Sequence, residues 1–310
     1  MKILNAGCPR ADGFICRQSH APTSTIIIWP KRPGSWIYGA RRAREAFAEV
    51  ICAIAESEQA YVLAEADVID NARSVVEAVR KQKNYQENFP VKYIQMESDD
   101  AWARDVGPTF VKNEDGAVRG IDWCFNAWGG KVDGLYADWT KDDRVAALFC
   151  NKAGYDMYDA HPFVLEGGAI HTDGEKTVIV TESCLLSKGR NPELSKSEIE
   201  QKLKDYLGAE KLSGFLMEYT MMKPTSMSTT YVHLQARGMW CLRGLMTWMT
   251  HSIRCPQRTL KYWKMKLMQE AGKLRFTRFT FQRSRCASQN MSFRASPLRR
   301  VRMSARQENA

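Results

Sequence analysis

Residues 24–57 read STIIIWPKRPGSWIYGARRAREAFAEVICAIAES. Ser24 to Trp29 is β-branched and apolar and stops at Pro30, which predicts a strand buried along Ile26-Ile27-Ile28-Trp29. Residues 41–57 then place Ala43, Phe47, Val50, Ile51 and Ile54 on one face of a helix. The alternation continues downstream, where Val91–Ile94 and Val178–Val180 predict further short strands. Ser195-Lys-Ser-Glu198 reads as a capping box ahead of an apolar stripe of Ile199, Leu203 and Tyr206, and Gly208 supplies the stop. Short strands alternating with amphipathic helices predict an α/β class, while periodicity leaves the sheet topology open.

The charge divides unevenly along the chain. The 310 residues carry a net charge of +10, which on its own raises nucleic acid as a partner. Residues 211–310 hold 19 Lys and Arg against three acids, Glu218, Glu270 and Glu308, a net of +16. Residues 1–210 hold the other 26 bases and 32 acids, a net of −6. Eleven of the 14 methionines also fall after residue 210. Two compositions meet near Lys211, so the expected division is 1–211 and 212–310, with no domain expected in the second part.

Several classes are excluded at this level. No apolar run approaches the length that spans a bilayer, and MKILNAGCPR lacks the apolar core of a signal peptide. Nine cysteines at irregular spacing, with no CxxC pair, argue against a disulfide framework or a zinc cluster. These features place the chain in the cytoplasm and away from membranes; the oligomeric state is not legible.

Three polar clusters stand out. Glu97-Ser-Asp-Asp-Ala-Trp-Ala-Arg-Asp-Val-Gly-Pro108 follows a predicted strand and belongs in a strand-end loop. It reads either as a solvated acidic loop, with Asp105 pairing Arg104, or as a carboxylate and an indole that clasp a planar cation. Asp122-Trp-Cys-Phe-Asn-Ala-Trp-Gly-Gly130, continuing to Tyr136, reads as a ligand wall with close backbone approach or as packing at a tight turn. In Leu165-Glu-Gly-Gly-Ala-Ile-His171 the Glu follows an apolar strand, so it is expected to be partly buried and to need a cationic or hydrogen-bonding partner. His171 reads as a structural histidine.

In order, Trp-x-Arg-Asp-x-Gly-Pro, Phe-Asn-Ala-Trp-Gly-Gly, Leu-Glu-Gly-Gly-x-Ile-His and Glu-x-Cys-Leu-Leu resemble the agmatine deiminases of the guanidino-group-modifying (pentein) superfamily. The resemblance runs from about Asp12 to Lys211 and includes Trp29-Pro30, Lys141-Asp-Asp143 and Gly189-Arg-Asn-Pro192. It implies a five-bladed α/β propeller, here partial, with the site on its axis. It also implies conversion of agmatine and water to N-carbamoylputrescine and ammonia, without metal or cofactor, through a covalent amidino-cysteine intermediate. By motif, Asp105 and Glu166 match the two carboxylates that bind the guanidinium and Trp102 matches a lining aromatic. Trp128 belongs to the same wall, and Asp99 and Asp100 are weaker candidates for the pocket.

Past Lys211 the family continues with Val-Ile-Trp-Leu-Pro and then Asp-Glu-Thr-Asn-x-His-Val-Asp-Asn, whose His and Asp are catalytic. This chain does not. Methionine and tryptophan each have one codon, so a neighbouring reading frame can be partly read back. Taking the last base of each codon with the first two of the next, Met217-Glu218 must give Gly, and Met221-Met222-Lys223 must give Asp-Glu. Allowed codons then let Pro224 to Thr230 give Thr-Asn-Glu-His-Val-Asp-Asn, and Trp248-Met249-Thr250 must give Asp-Asp. A single-base deletion near Lys211 accounts for the charge change, the methionine excess and the lost motif. Residues 15–24 also depart from the family's Met-Pro-Ala-Glu segment.

The consequence is a chain expected to keep the substrate's carboxylate clasp and to be catalytically dead. The family's nucleophile stands in a Gly-Gly-Gly-Asn-Ile-His-Cys segment that residues 1–310 do not contain. Cys241, Cys255 and Cys286 belong to the shifted tail, and Cys124 and Cys184 lie where the family places no nucleophile. Two other readings remain. One is a deiminase of peptidyl or free arginine. The other is a non-catalytic protein whose residues 273–306, mixing bases with aromatics, bind nucleic acid; against it, the tail shows no helical or strand period.

Overall fold

A computed structural model describes residues 1–4, 7–16, 23–36, 38–172, 174 and 176–215, together with four short strands between residues 232 and 277. The chain divides into two units, Met1–Val232 and His233–Ala310.

The first sheet of the larger unit contains β1 (Ser24–Ile28), β2 (Gln59–Ala64) and β3 (Val91–Gln95), all parallel, with Ile27 opposite Val62 and Val62 opposite Tyr93. Two helices make the crossovers, α1 (Arg41–Ala55) and α2 (Ile69–Lys83). Period-two alternation gives this sheet two buried faces. Ile27, Ala60 and Val62 meet Ala48, Ile51, Cys52, Ala72, Val76 and Val79 of the helices. Ile28 and Leu63 face a second cluster with Met96, Phe125, Trp128 and Phe149, on the side that carries the polar motifs. Full burial of such aliphatic and aromatic side chains contributes about 1.5–3 kcal/mol each.

The helix expected over 41–57 ends at Ala55, and its buried face is Ala48, Ile51, Cys52 and Ala55. Val50, expected on that face, is 54% exposed. The small Ala and Cys side chains let the helix sit close to its neighbours and turn Val50 outward.

The next two sheets share a plan. After the one-turn helix α3 (Ala103–Val106), β4 (Thr109–Lys112) pairs antiparallel with β5 (Val118–Cys124). The short α4 (Gly130–Asp133) and α5 (Val145–Ala153) lead to β6 (Asp156–Val164), parallel to β5 with a register shift between Asp122 and Cys124. In the same way β7 (Ile170–Thr172) pairs antiparallel with β8 (Thr177–Thr181). Then α6 (Glu182–Leu185) and α7 (Lys196–Leu207) lead to β9 (Lys211–Phe215), parallel to β8. One core joins the two modules, with Val111, Ile121, Tyr158, Phe163, Leu165, Ile170 and Val178 packed against Ile199, Leu203 and Leu207 of α7.

The expected capping box opens α7: Glu198 N donates to Ser195 Oγ at 3.3 Å, and Ser195 N donates to Glu198 Oε2 at 2.7 Å. Gly208 closes the helix at φ 65°, in the left-handed region that suits glycine. A Cβ there would lie 2.5 Å from Ile15 Cγ2.

The four remaining strands form two-stranded ribbons, β10 (Val232–Ala236) with β11 (Met239–Leu242), and β12 (Met265–Met268) with β13 (Leu274–Thr277). Residues 212–310 carry no strand period that predicts these ribbons. The other expectations for residues 216–310, and most of those for residues 15–24, lie outside the described residues. No helix among the described residues is long and apolar enough to cross a membrane.

Candidate functional site

Asp105 lies in α3 and Glu166 lies just beyond β6. Glycine lets their backbones meet. A Cβ on Gly167 would lie 2.1 Å from the Arg104 carbonyl oxygen, and one on Gly107 would lie 2.5 Å from that of Ala103. With no side chain between them, the 167–169 turn rests on α3. Gly168 N–H donates to Asp105 Oδ1 at 2.9 Å, and Arg104 Nη2 donates to the Ile170 carbonyl at 3.1 Å. The two carboxylates are thus held side by side, Asp105 3% exposed and Glu166 1%.

Such a pair is electrostatically expensive. Burial, then the charge of Glu166, pushes the Asp105 carboxyl up to about 7, while the Gly168 N–H pulls the other way. The Trp128 indole lies near enough to Asp105 to favour its ionised form, and its Nε1 is buried without a hydrogen-bond partner. Glu166 has a cationic partner, as its burial required: Arg190 Nε donates to Oε1 at 2.9 Å, and the Arg190 side chain is fully buried.

The Gly189-Arg-Asn-Pro192 segment delivers that arginine. Asn126 Nδ2 donates to the Gly189 carbonyl at 2.7 Å, and Asn191 brackets Val164 with bonds of 3.0 and 2.9 Å. Arg190 occupies only one oxygen of Glu166. The other, Oε2, is buried without a hydrogen-bond partner, as are Arg190 Nη2 and Trp102 Nε1. Orphaned polar atoms at one buried carboxylate mark a place shaped for a further polar group.

Aromatic rings wall this place. Trp102, at the N-cap of α3, meets Trp128 edge to face at 5.7 Å and stacks on Trp36 at 6.1 Å. Trp128 also packs on Phe125 at 5.1 Å and Tyr136 at 5.9 Å. Its backbone, at φ 63°, and that of Ala127, at φ 53°, sit in the left-handed region. Non-glycine residues there store strain, which the bond from Gly130 N to the Asn126 carbonyl at 2.7 Å and that from Leu135 N to the Ala127 carbonyl at 3.0 Å hold in place.

Asp99 and Asp100, expected as weaker members of the pocket, are committed elsewhere. The Asp100 carboxylate accepts from Ser35 Oγ, from Trp36 Nε1 at 2.9 Å and from Ala101 N at 2.8 Å. Asp99 Oδ2 accepts from Lys141 N and Asp142 N at 3.0 and 3.2 Å, and buried Asp142 accepts from Asp99 N in return at 2.8 Å. They tie the loop before α3 to the Lys141-Asp-Asp143 segment. His171 is half-buried on β7. Cys184 is buried close enough for the Glu166 charge to act on it, and burial pushes its thiol up to about 12, so it stands as a neutral thiol.

A second polar nest lies at the ends of β5 and β6. His161 Nδ1 meets Asp159 Oδ1 at 2.9 Å and Asp122 Oδ2 at 4.0 Å, and His161 Nε2 meets Asp143 Oδ1 at 3.5 Å. These neighbours, Asp143 foremost, raise the imidazole to about 9. Sequence reading missed this nest because a lone histidine beside a proline carries no pattern. It also missed Arg190 as the partner of Glu166, although burial called for a cation.

Fold and site together define a mixed α/β domain with a dehydrated carboxylate pair under an aromatic wall, suited to a delocalised cation. The chain belongs to the Porphyromonas-type peptidyl-arginine deiminase family, whose profile matches residues 17–224. A Selenomonas ruminantium relative is 47% identical over 211 residues, 68% of this chain and 55% of its own length. The agmatine deiminase of Stutzerimonas stutzeri is 45% identical over 205 residues, 66% of this chain and 53% of its own. The solved agmatine deiminase of Enterococcus faecalis superposes with a TM-score of 0.64 at 42% identity, covering 69% of this chain and 56% of that one. The chain therefore spans about half the length of the curated relatives it matches.

Proposed function

We propose that residues 1–215 form the substrate-holding part of an agmatine deiminase, and that the 310-residue chain holds a guanidinium without turning it over. The observation that carries the reading is the Asp105–Glu166 pair, buried side by side with Glu166 Oε2 unpartnered. A guanidinium is planar, cationic and rich in N–H groups, so it can donate to both carboxylates while its face meets Trp102 or Trp128. Cation binding relieves the repulsion that raises Asp105. In this reading the three sheets are blades of a five-bladed propeller, and the reaction is hydrolysis at the C–N bond of a linear amidine in putrescine formation. By resemblance it would run in the cytoplasm. Turnover needs a thiolate opposite the clasp and a histidine to move protons. Residues 211–310 do not carry the family's Asp-Glu-Thr-Asn-x-His-Val-Asp-Asn motif, which supports loss of activity through a shifted frame.

Calorimetry with agmatine on the full chain tests this reading, with ammonia release followed in parallel. Agmatine should bind, and Asp105→Asn or Glu166→Gln should weaken binding at least ten-fold, since a hydrogen bond to a charged group contributes about 1.5–3 kcal/mol. Unchanged affinity in both variants would remove these residues from the clasp. Ammonia release by the unaltered chain would refute inactivity. Tighter binding of arginine than of agmatine would move the substrate to the arginine class.

A further inference from the structure

We infer that Cys124, Asp143 and His161 form a site for a divalent transition-metal ion of the zinc class, with Asp159 orienting the imidazole and Asp122 beside it. The inference is independent of the substrate reading.

The geometry supports it in three ways. One donor atom from each of Cys124, Asp143 and His161 lies within 4.8 Å of the others. Ligands on a tetrahedral zinc, at bond lengths near 2.0–2.3 Å, stand about 3.3–3.8 Å apart, so small side-chain rotations close the site. His161 Nε2 and Asp143 Oδ1, at 3.5 Å, are already at that spacing. Asp159, 2.9 Å from Nδ1, occupies the place of the carboxylate that orients a metal-bound imidazole and leaves Nε2 to face Asp143.

The second support is an unpaired buried atom. Asp122 is 5% exposed and its Oδ1 has no hydrogen-bond partner, although His161 is the nearest cation to it. The third is charge. Asp143 and Asp159 face one imidazole, which cannot balance both even when protonated, and Asp122 beside them is pushed up to about 7 by burial. A divalent ion can balance both. One sulfur, one imidazole nitrogen and carboxylate oxygens make a borderline donor set that suits zinc or cobalt rather than magnesium or calcium. His161, Asp143 and Asp159 are each about a third exposed at the side chain, so an ion can enter from solvent.

The role is structural. Cys124 ends β5, and Asp143 accepts from Phe125 N at 2.5 Å, where the Phe125–Gly130 loop begins. An ion held by both would clamp the strained loop that places Trp128 beside Asp105.

The test is cobalt titration of the full chain, stripped with chelator and kept reduced. Near-ultraviolet thiolate-to-cobalt absorption should saturate at one equivalent and be displaced by zinc. Cys124→Ser should abolish it, Asp159→Asn should weaken binding about ten- to a hundred-fold, and Cys184→Ser should leave it unchanged. Absence of the band, or its persistence in Cys124→Ser, overturns the site. If Cys124→Ser does not fold, the wild-type chain still decides: zinc should slow alkylation of Cys124, mapped by mass spectrometry, at least ten-fold. Unaltered alkylation overturns the proposal.

Discussion

On either side of Lys211 the same chain obeys different rules. Before it, acids slightly outnumber bases, and acidic side chains have structural work: Asp99 and Asp100 tie loops together, Glu198 caps a helix and Glu166 meets Arg190. From Lys211 on, 19 bases stand against three acids, and the family's histidine motif is missing. The net charge of +10 belongs to neither part, so partner arguments drawn from it mislead. The boundary strand shows which features survive a change of sequence. β9 pairs with β8 from Lys211 to Phe215, beyond the point where the residues depart from Val-Ile-Trp-Leu-Pro. Strand pairing uses backbone groups that every residue except proline supplies in full, whereas a catalytic motif needs particular side chains.

The largest expected effect within the first part comes from breaking the buried ion pair. Arg190→Ala leaves Glu166 uncompensated in the interior, and loss of one partner of such a pair costs about 3–5 kcal/mol. Denaturant unfolding of that variant should show this loss. A change below about 1 kcal/mol would mean that the pair is not held as described.

The next effect is a pH dependence. Asp105 has its folded-state value raised from 3.8 to about 7 by burial and by Glu166, with Arg104 opposing. A guanidinium needs the ionised carboxylate, so agmatine affinity should fall as pH drops through about 7, approaching tenfold per unit below it. The same raised value means that Asp105 favours the folded state most at low pH and loses that contribution as pH rises from about 4 to about 7. Affinity flat between pH 5 and 8 would show that Asp105 does not meet the cation. The smallest effect is at a helix end: Ser195→Ala removes a cap and should lower unfolding free energy by about 1 kcal/mol. No loss would mean that the capping box adds nothing to α7.

The sequence disclosed what is local. β1 follows from its β-branched run, and α7 from its cap, stripe and terminal glycine. α1 was legible as a helix, and Phe47, Ile51 and Ile54 of its expected face do pack on the core, but Val50 points outward and Ala48, Cys52 and Ala55 carry too weak an apolar signal to be read. Sheet order was silent, since parallel pairing leaves no mark in one strand alone. Within the acidic cluster, Asp99, Asp100 and Asp105 are chemically alike. What separates them is the partner each meets, and Asp142 and Gly168 lie some 40 and 60 residues away in the chain. The nest at His161 was hidden for the same reason, its members being spread from Asp122 to His161.

We propose that a single missing base separates these two parts. The direct measurement is to read the genomic DNA and transcript across codon 211, express the gene with one base inserted there, and follow ammonia release from agmatine. The expected result is an open frame encoding Asp-Glu-Thr-Asn-x-His-Val-Asp-Asn, and ammonia from the restored enzyme where the 310-residue chain gives none. Genomic and transcript reads with no restorable frame, or equal ammonia release from both proteins, would contradict it.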